Sequence, residues 1–193
     1  DYKVTGVQTC ALPISKFPGY GKLSGKVIDE LEEGARVAIN SDKKDPRDFA
    51  LWKTDAKHQM QWDAPFRGGA RGFPGWHIEC SAMSTHYLGP EIDIHTGGED
   101  NMFPHHECEI AQTEAHTHKQ FVQIWLHARH LLVDGQKMSK SLGNFFTVQQ
   151  ILDQGYSGLE LRYALIRVQY RQQLNFTLKG LDEARAAIGR VQA

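Results

Sequence analysis

Two lysines on a short polar loop are the residues best suited to chemistry in this sequence. Lys137 and Lys140 belong to the run Lys-Met-Ser-Lys-Ser at 137–141, which follows an Asp-Gly turn at 134–135. A mobile loop with two cationic side chains suits negative charge that develops on a phosphate group during a transfer reaction. Most lysine- and serine-rich turns are ordinary surface turns, but the complete five-residue run favours the functional interpretation.

A thiol, an imidazole and a carboxylate elsewhere in the sequence have the spacing of metal ligands. Pro104 is predicted to open a helix that runs to about Thr117. Within it, His105 and Glu109 lie four residues apart, so both side chains leave the same face. Cys80 lies on the preceding predicted helix. These three donor types suit Zn²⁺, and three protein ligands would leave one coordination position open.

The spacing alone leaves the ligand set, and the metal itself, open. His106 is three residues before Glu109, and it could take the place of its neighbour. Cys108 is three residues after His105 and could take part in the same way. Without a metal, Cys80 would be a small buried hydrophobic residue and Glu109 part of a solvated helix face. Spacing supports the two interpretations about equally.

The element that must position Cys80 is a predicted helix from Trp76 to Leu88. It ends at Gly89-Pro90, a pair that cannot continue a helix. Trp76 is four residues before Cys80 and shares its helical face. It is therefore either an ordinary core tryptophan or an aromatic wall over a ligand that the metal holds.

A predicted strand from Glu91 to His95 follows this helix. Polar residues alternate with Ile92 and Ile94, as in a half-buried strand, and the strand runs towards Gly97-Gly98. Glycines at the carboxyl end of a strand let the backbone approach a ligand closely, as in the crevice of an open α/β sheet. Two glycines alone are weak support for such a site.

Alternating helices and strands are predicted up to about Phe146, and only helices after it. Before the first motif the sequence predicts a helix over 27–33, a strand over 35–40 and a flexible glycine-rich connection over 68–75. Further strands are predicted over 122–126 and 131–133. Two helix starts carry capping boxes, Thr147 with Gln150 and Ser157 with Glu160. A final packed helix is predicted from four apolar residues at helical spacing, Leu181, Ala184, Ile188 and Val191.

Composition places the chain among globular proteins with one good core. It has 193 residues, 40% of them hydrophobic, and a net charge of −1, so no bulk basic field points to nucleic acid. Three cysteines, Cys10, Cys80 and Cys108, are far from a disulfide framework and favour a reducing, cytoplasmic compartment. No apolar run reaches the roughly 20 residues that span a bilayer, and no secretory signal pattern is expected.

Four motifs together resemble the cysteinyl-tRNA synthetases, a family of class I aminoacyl-tRNA synthetases. They are Phe-Pro-Gly-Tyr-Gly-Lys-Leu-Ser at 17–24, Gly-Trp-His-Ile-Glu-Cys-Ser-Ala-Met-Ser at 75–84, Phe-Pro-His-His-Glu at 103–107 and the lysine run at 137–141. The resemblance covers the sequence from about Lys16 to Asn175. It implies an enzyme that activates cysteine with ATP to cysteinyl-adenylate and transfers the amino acid to tRNA(Cys).

The resemblance also implies a metal-dependent choice of amino acid. In the family, zinc coordinates the thiolate of substrate cysteine, and the ligands carried over here are Cys80, His105 and Glu109, with one Zn²⁺ per chain. Trp76 would pack on the bound amino acid. Serine differs from cysteine by one atom, and shape alone separates such near-isosteres poorly. A soft metal prefers thiolate to hydroxyl, so zinc can supply the selectivity.

The ATP site that the resemblance implies uses residues from two segments. Gly97, Gly98 and Asp100 would help to hold ATP, which is expected to bind with Mg²⁺. Lys140 would contact ATP, and Lys137 would stabilise charge in the transition state.

The resemblance divides the sequence into four segments of an α/β protein. Residues 1–15 are expected to be foreign to the family or artefactual, and 16–75 to belong to a connective insertion. Residues 76–146 would form the carboxyl-terminal half of a Rossmann-type catalytic domain that includes the lysine loop, and 147–193 would start an α-helical domain. The family's fourth zinc ligand, a cysteine, and its His-Ile-Gly-His-type ATP motif belong to a first half that this sequence does not match. The piece alone is expected to be inactive and to leave an apolar sheet face uncovered.

Two rival functions remain open at this stage. A related ligase joins cysteine to an amino sugar in mycothiol synthesis, but its family does not carry glutamate at the position of Glu109. That residue therefore favours the tRNA enzyme. The other rival is a zinc-binding module that is similar to a synthetase but has no catalysis. No membrane partner is expected, and the parent protein is expected to be monomeric.

Overall fold

The computed structural model describes residues 10–12, 14–27, 48–55, 57–66 and 70–192. The strand predicted over 35–40 lies outside these residues, as do nearly all of the helix predicted over 27–33 and Gly68-Gly69 of the predicted connection. The chain divides into two compact units, Asp1–His127 and Ala128–Ala193. The division falls between His127 and Ala128, whereas the sequence predicts a domain boundary after Phe146. The lysine loop therefore lies in the second unit.

Among its described residues the first unit has two sheets, two α-helices and a short 3-10 helix at Ile14–Lys16. Its strands are β1 (Cys10–Leu12), β2 (Phe49–Lys53), β3 (Phe73–Pro74), β4 (Ile92–Gly98) and β5 (Val122–Ala128). Its helices are α1 (Trp76–Leu88) and α2 (Glu107–Thr117), and a π-helical turn over Met102–His106 leads into α2. The strands β1, β2 and β3 form an antiparallel sheet in that order, and β4 pairs with β5.

The core of the first unit forms two apolar clusters around α2. One contains Ile14, Tyr20, Phe49, Cys108 and Ala111, and the other contains Ile92, Phe121 and Val122. Helix α1 packs against α2, so the two helices that carry the metal-ligand candidates are neighbours. The predicted bounds of α1 are confirmed, and Gly89 ends it with a φ of 92°, a conformation that glycine adopts without a steric cost.

Three predictions in this unit need correction. The flexible connection predicted over 68–75 contains strand β3, which pairs with β2. The helix expected to open at Pro104 begins at Glu107, because Phe103 has an extended backbone (φ −136°, ψ 130°) and the following residues form the π-helical turn. The predicted strand 91–95 is longer than expected and runs through Gly97-Gly98. None of the helices in the described residues is long and apolar enough to cross a membrane.

A buried carboxylate ties the turn at 21–24 to α2. Glu107 is fully buried and accepts hydrogen bonds from the Gly21 amide (2.9 Å), the Ser24 amide (2.7 Å) and the Ser24 hydroxyl (2.9 Å). Charged acceptors form the stronger protein hydrogen bonds. Glu107 therefore attaches the motif at 17–24 to the helix that also carries Glu109.

Replacing Glu107 by alanine is expected to lower the free energy of unfolding by about 3 kcal/mol, since buried donors lose a charged acceptor. Urea denaturation of the purified chain measures the change. Glu91→Ala is the matched control: Glu91 forms an ion pair with Lys119 at 2.6 Å, but both side chains are about half exposed. A pair of that kind contributes about 0–1 kcal/mol. Equal effects of the two substitutions would contradict the anchoring role.

The second unit is a small sheet packed with three helices. Its strands β6 (Leu132–Val133), β7 (Gln136–Lys137) and β8 (Asn175–Phe176) lie in the order β7-β6-β8, with β7 antiparallel and β8 parallel to β6. Its helices are α3 (Val148–Asp153), α4 (Gly158–Ile166) and α5 (Leu178–Gln192). Its core is built from Val133, Ile151, Ala164, Phe176, Leu181 and Ala184.

Both capping boxes predicted in this unit are confirmed at the starts of α3 and α4. The prediction of helices alone after Phe146 is wrong, because β8 completes the sheet. Leu181 and Ala184 are fully buried on α5, as expected, but Val191 is 87% exposed. The packed face of α5 ends before the last turn of the helix. The helical spacing of the four apolar residues therefore predicted a packed face that was too long.

Candidate functional site

Gly75 sets the start of the helix that carries Trp76 and Cys80. Its amide donates a hydrogen bond to the carbonyl of Leu51 at 2.8 Å, and a Cβ at this position would lie 2.1 Å from the carbonyl oxygen of Ala50. Only glycine lets the chain pass so close to β2. Helix α1 therefore begins against the sheet, with Trp76 and Cys80 one turn apart on one face.

The three zinc ligands expected from the sequence converge in the first unit. One ligand atom from each of Cys80, His105 and Glu109 lies within 4.8 Å of the other two. The thiol comes from α1, the imidazole from the π-helical turn and the carboxylate from α2. His105 and Glu109 are buried, whereas Cys80 is partly exposed. Solvent therefore reaches the cluster from the side of the thiol.

One oxygen of Glu109 forms a close buried pair with an imidazole. Oε1 is buried and lies 2.6 Å from Nε2 of His105. A cation bound between these two ligand atoms would satisfy both of them in place of their direct contact. The donor set and this oxygen fit Zn²⁺.

The two acidic ligands differ in protonation. Burial would raise the pKa of Glu109, but the imidazoles of His105 and His95 beside it lower that pKa to about 2. Burial raises the pKa of the Cys80 thiol, and the charges of Glu109 and Glu79 raise it further. The carboxylate is therefore ionised, while a metal ion must displace the proton of the thiol.

Two neighbours fix the ring of His105. Trp76 stacks on it, with ring centroids 3.9 Å apart and an interplanar angle of 12°. Nδ1 of the buried His77 lies 2.7 Å from Nδ1 of His105. Burial and the neighbouring His105 lower the pKa of His77 to about 4, so His77 is neutral near pH 7. The sequence places His77, with His95, His105 and His106, among the histidines near acids or cysteine that favour a metal site, but it gives His77 no role of its own.

A second group of metal-ligand atoms shares the other oxygen of Glu109. Nε2 of His95 lies 2.6 Å from Oε2 of Glu109, and His95, His106 and Glu109 offer ligand atoms within 4.8 Å of one another. Nδ1 of His106 forms a hydrogen bond with Nε2 of His127 at 2.7 Å. The sequence kept His106 as an alternative ligand and named His95 among the histidines that favour a metal site, without a role, but it did not single out His127. Alternation along β4, which places His95 and Gly97 on one face, was the available signal.

Cys108, the other alternative ligand, lies apart from both groups. It is fully buried in the apolar cluster with Ile14 and Phe49, and its Sγ lies 3.5 Å from the hydroxyl of Tyr20. It belongs to neither group of metal-ligand atoms found in the described part of the chain.

Crowding by the chain itself accounts for both glycines at the end of β4. A Cβ at Gly97 would lie 2.5 Å from a ring carbon of His106, and a Cβ at Gly98 would lie 2.5 Å from Oδ1 of Asp100. The amide of Asn101 donates to the carbonyl of Gly98 at 3.0 Å and closes the turn. The expected contact of this turn with ATP stays a prediction.

The side chain of Asn144 holds the backbone of the lysine loop in the second unit through two hydrogen bonds. Its Oδ1 accepts a hydrogen bond from the Ser139 amide at 2.9 Å, and its Nδ2 donates to the carbonyl of Lys137 at 3.1 Å. Nζ of Lys137 donates a hydrogen bond to Nε2 of His130 at 3.1 Å. Nζ of Lys140 lies 5.7 Å from the centroid of the Phe145 ring. The hydrogen bonds of Asn144 therefore fix the loop backbone around Met138. The ammonium groups of Lys137 and Lys140 make weaker contacts, which a phosphate group could replace.

The segment around β8 holds the base of the same loop. The side chain of Asn175 accepts a hydrogen bond from the Gly135 amide at 2.8 Å, and the side chain of Gln173 donates to the carbonyl of His130 at 2.7 Å. These contacts fix both ends of the β6–β7 hairpin from which the loop extends. Asn144 directly follows the lysine run in the sequence, which gave it no role of its own. Sequence reasoning missed Asn175 and Gln173, because their contacts join residues 40 and 43 positions apart.

Comparison with known families agrees with this geometry. Over residues 2–186 the chain matches the family model described as the class I (C) tRNA synthetase catalytic domain. The chain belongs to this family of class I tRNA synthetases. The match includes 2–15, the segment that the sequence analysis set apart from the family.

Several similar proteins share one name, cysteine--tRNA ligase. The chain is 52% identical to the protein of that name from Chlamydia abortus over 183 residues, which are 93% of this chain and 38% of the relative. It is 53% identical to that from Koribacter versatilis over 180 residues, 93% of this chain and 36% of the relative. It is 52% identical to that from Brachyspira hyodysenteriae over 183 residues, which are 92% of this chain and 38% of the relative. The chain thus spans less than two fifths of the length of these relatives.

Proposed function

We propose that this chain is part of a cytoplasmic cysteine--tRNA ligase, which activates cysteine with ATP and transfers it to tRNA(Cys). The observation that carries the proposal is the convergence of ligand atoms from Cys80, His105 and the buried Glu109 within 4.8 Å of one another. The names of the similar proteins support the same reading. Residues 16–75 would belong to the connective insertion, 76–146 to the second half of a Rossmann-type domain, and 147–193 to the start of a helical domain.

In this proposal the three converging residues hold zinc. A bound Zn²⁺ would supply a soft Lewis acid that prefers the thiolate of cysteine to the hydroxyl of serine. Glu109 is already ionised, and the neutral His77 is placed to accept a hydrogen bond from Nδ1 of His105, which would leave Nε2 to face the metal. Cys80 lies on the exposed side of the cluster, which leaves room for a second thiol there.

Trp76 suits a wall for the bound amino acid. One face of its indole is covered by the ring of His105, yet the side chain is 51% exposed. The exposed part of the indole can pack on the short side chain and backbone of cysteine. The stacking also orients the imidazole of His105, so Trp76 would position the ligand and contact the substrate together.

The lysine loop would act on the phosphates of ATP. During activation, an oxygen of the cysteine carboxylate would form a bond to the α-phosphorus while the bond to pyrophosphate breaks, and Mg²⁺ would supply further neutralisation of the phosphate charge. Lys140 would contact ATP, and Lys137 would stabilise the charge that develops on the phosphate oxygens. Gly97, Gly98 and Asp100 would hold the nucleotide. Asn144 supports this role, because it fixes the backbone between the two lysines.

A chimaera tests the proposed reaction. The chain replaces its aligned segment in the cysteine--tRNA ligase of Chlamydia abortus, and cysteine-dependent exchange of pyrophosphate into ATP is measured, followed by transfer of cysteine to tRNA(Cys) or to an amino sugar. We expect exchange and charging of tRNA(Cys), with the unmodified relative as the control. Transfer to the amino sugar alone would identify the rival ligase. Zinc binding without exchange would identify a module that lacks catalysis.

The apparent zinc affinity of the chain is expected to rise about tenfold per pH unit between about pH 7 and about pH 8.5. The pKa of the Cys80 thiol is raised, so the thiol is protonated in this range and one proton must leave when the metal binds. The carboxylate of Glu109, with its pKa of about 2, adds no dependence. Competition with a chelator at several pH values measures the slope. A flat profile would contradict coordination by this thiol.

A further inference from the structure

We propose that His95, His106 and Glu109 form a second cation site, beside the proposed zinc site, for Zn²⁺ or a similar transition-metal ion. The two sites would share Glu109 as a bridging carboxylate: Oε1 faces His105, and Oε2 faces His95. The inference uses the same carboxylate as the proposed function but does not depend on cysteine recognition.

The donor set and its burial carry the inference. The three ligand atoms lie within 4.8 Å of one another, His106 and Glu109 are buried, and His95 is partly buried. Two imidazoles and one carboxylate are a common ligand set for zinc and its neighbours in the first transition row. With three protein ligands, a coordination position stays open for water.

The surroundings of His106 hold its ring in place for such a role. Its Nδ1 is held by His127 at 2.7 Å, the kind of hydrogen bond that orients a metal-binding imidazole. Gly97 leaves the space that the ring occupies, since a Cβ there would lie 2.5 Å from it. The ring of Trp125 lies 4.8 Å from the rings of both His95 and His106 and walls the site on one side.

The second site is expected to be the weaker one. It lacks a thiolate, and the carboxylate that it uses is shared with the first cation. Occupying it would replace the short contact between His95 and Glu109 by two bonds to the metal. Zinc in excess of one ion per chain would therefore bind there, and the first ion would fill the site that contains Cys80.

Cobalt provides a probe that distinguishes the two sites in the purified chain. A cobalt–thiolate bond gives a near-ultraviolet charge-transfer band, which the site of Cys80 would show and the second site would not. After removal of metal by a chelator, equilibrium dialysis against Co²⁺ gives the stoichiometry. We expect a second equivalent in the unmodified chain. In Cys80→Ser the band is expected to disappear while one equivalent stays bound, and in His106→Gln the band stays while the second equivalent is lost.

Two further variants keep the test decisive. His95→Gln should also lose the second equivalent, and the retained thiolate band shows that the chain is folded. Binding of the second Co²⁺ ion is expected to quench the fluorescence of Trp125. Trp125→Phe should therefore remove this quenching, whereas Trp76→Phe should leave it. A single equivalent that gives the thiolate band in the unmodified chain, or a second equivalent that persists in both histidine variants, would overturn the inference. If the unmodified chain shows no thiolate band but binds an equivalent that His106→Gln removes, the proposed zinc site fails and the second site stands.

Discussion

Replacing Cys80 by alanine is expected to lower the zinc affinity of the site that it forms with His105 and Glu109 about a thousandfold, or about 4 kcal/mol. The substitution removes the only soft ligand of the cluster and leaves an imidazole and a carboxylate. His105→Ala should have an effect of similar size, because it removes the ligand that lies 2.6 Å from Oε1 of Glu109. Metal analysis after gel filtration, with affinity from competition against a chelator, measures both variants.

Cys108→Ala is the matched control for this prediction. Cys108 is also a buried cysteine of the first unit, but its thiol contacts Tyr20 rather than the metal-ligand atoms. Its removal should leave zinc affinity unchanged within about twofold. Equal loss of zinc in Cys80→Ala and Cys108→Ala would point to general destabilisation and would contradict the ligand assignment.

Replacing Lys140 by alanine in the full-length chimaera is expected to lower the rate of cysteinyl-adenylate formation about 100- to 1,000-fold. The lysine carries a positive charge on a loop whose backbone is fixed by Asn144 and whose base is fixed by β8. Its ammonium group lies over the ring of Phe145, a weak contact that a phosphate can replace. The loss should fall mainly on kcat, since the charge is used in the transition state.

Pyrophosphate exchange into ATP measures this effect, and Lys179→Ala is its control. Lys179 lies exposed on α5 in the same unit, and its removal changes the net charge by the same amount. A comparable loss in both variants would mean that the unit responds to charge in general. An unchanged rate in Lys140→Ala would remove the lysine loop from the proposed chemistry.

Local signals in the sequence were sufficient for several elements of the fold. The Gly89-Pro90 pair marked the end of α1, and the capping residues Thr147 and Ser157 marked the starts of α3 and α4. Each signal acts within one helical turn, so no knowledge of the tertiary structure is needed to read it. The four-residue spacing of His105 and Glu109 likewise predicted that both side chains leave the same face. This holds although His105 lies in the π-helical turn and Glu109 in α2.

Long-range contacts account for what the sequence did not predict. Strand β8 is two residues long and forms only because it pairs with β6, more than 40 residues earlier in the chain. The contacts of His77 and His95 with the metal-ligand candidates likewise join separate elements. Motif spacing reports neighbours along one helix or strand, whereas these residues meet through tertiary packing.

The most direct test of the account is whether the metal centre distinguishes cysteine from serine. The purified chain is loaded with one equivalent of Co²⁺, and L-cysteine or L-serine is added while the thiolate-to-cobalt band is recorded. If the cluster of Cys80, His105 and Glu109 recognises the substrate through its thiolate, cysteine increases the band and serine leaves it unchanged. An equal response to both amino acids, or no response to cysteine, would contradict the proposed role of this site.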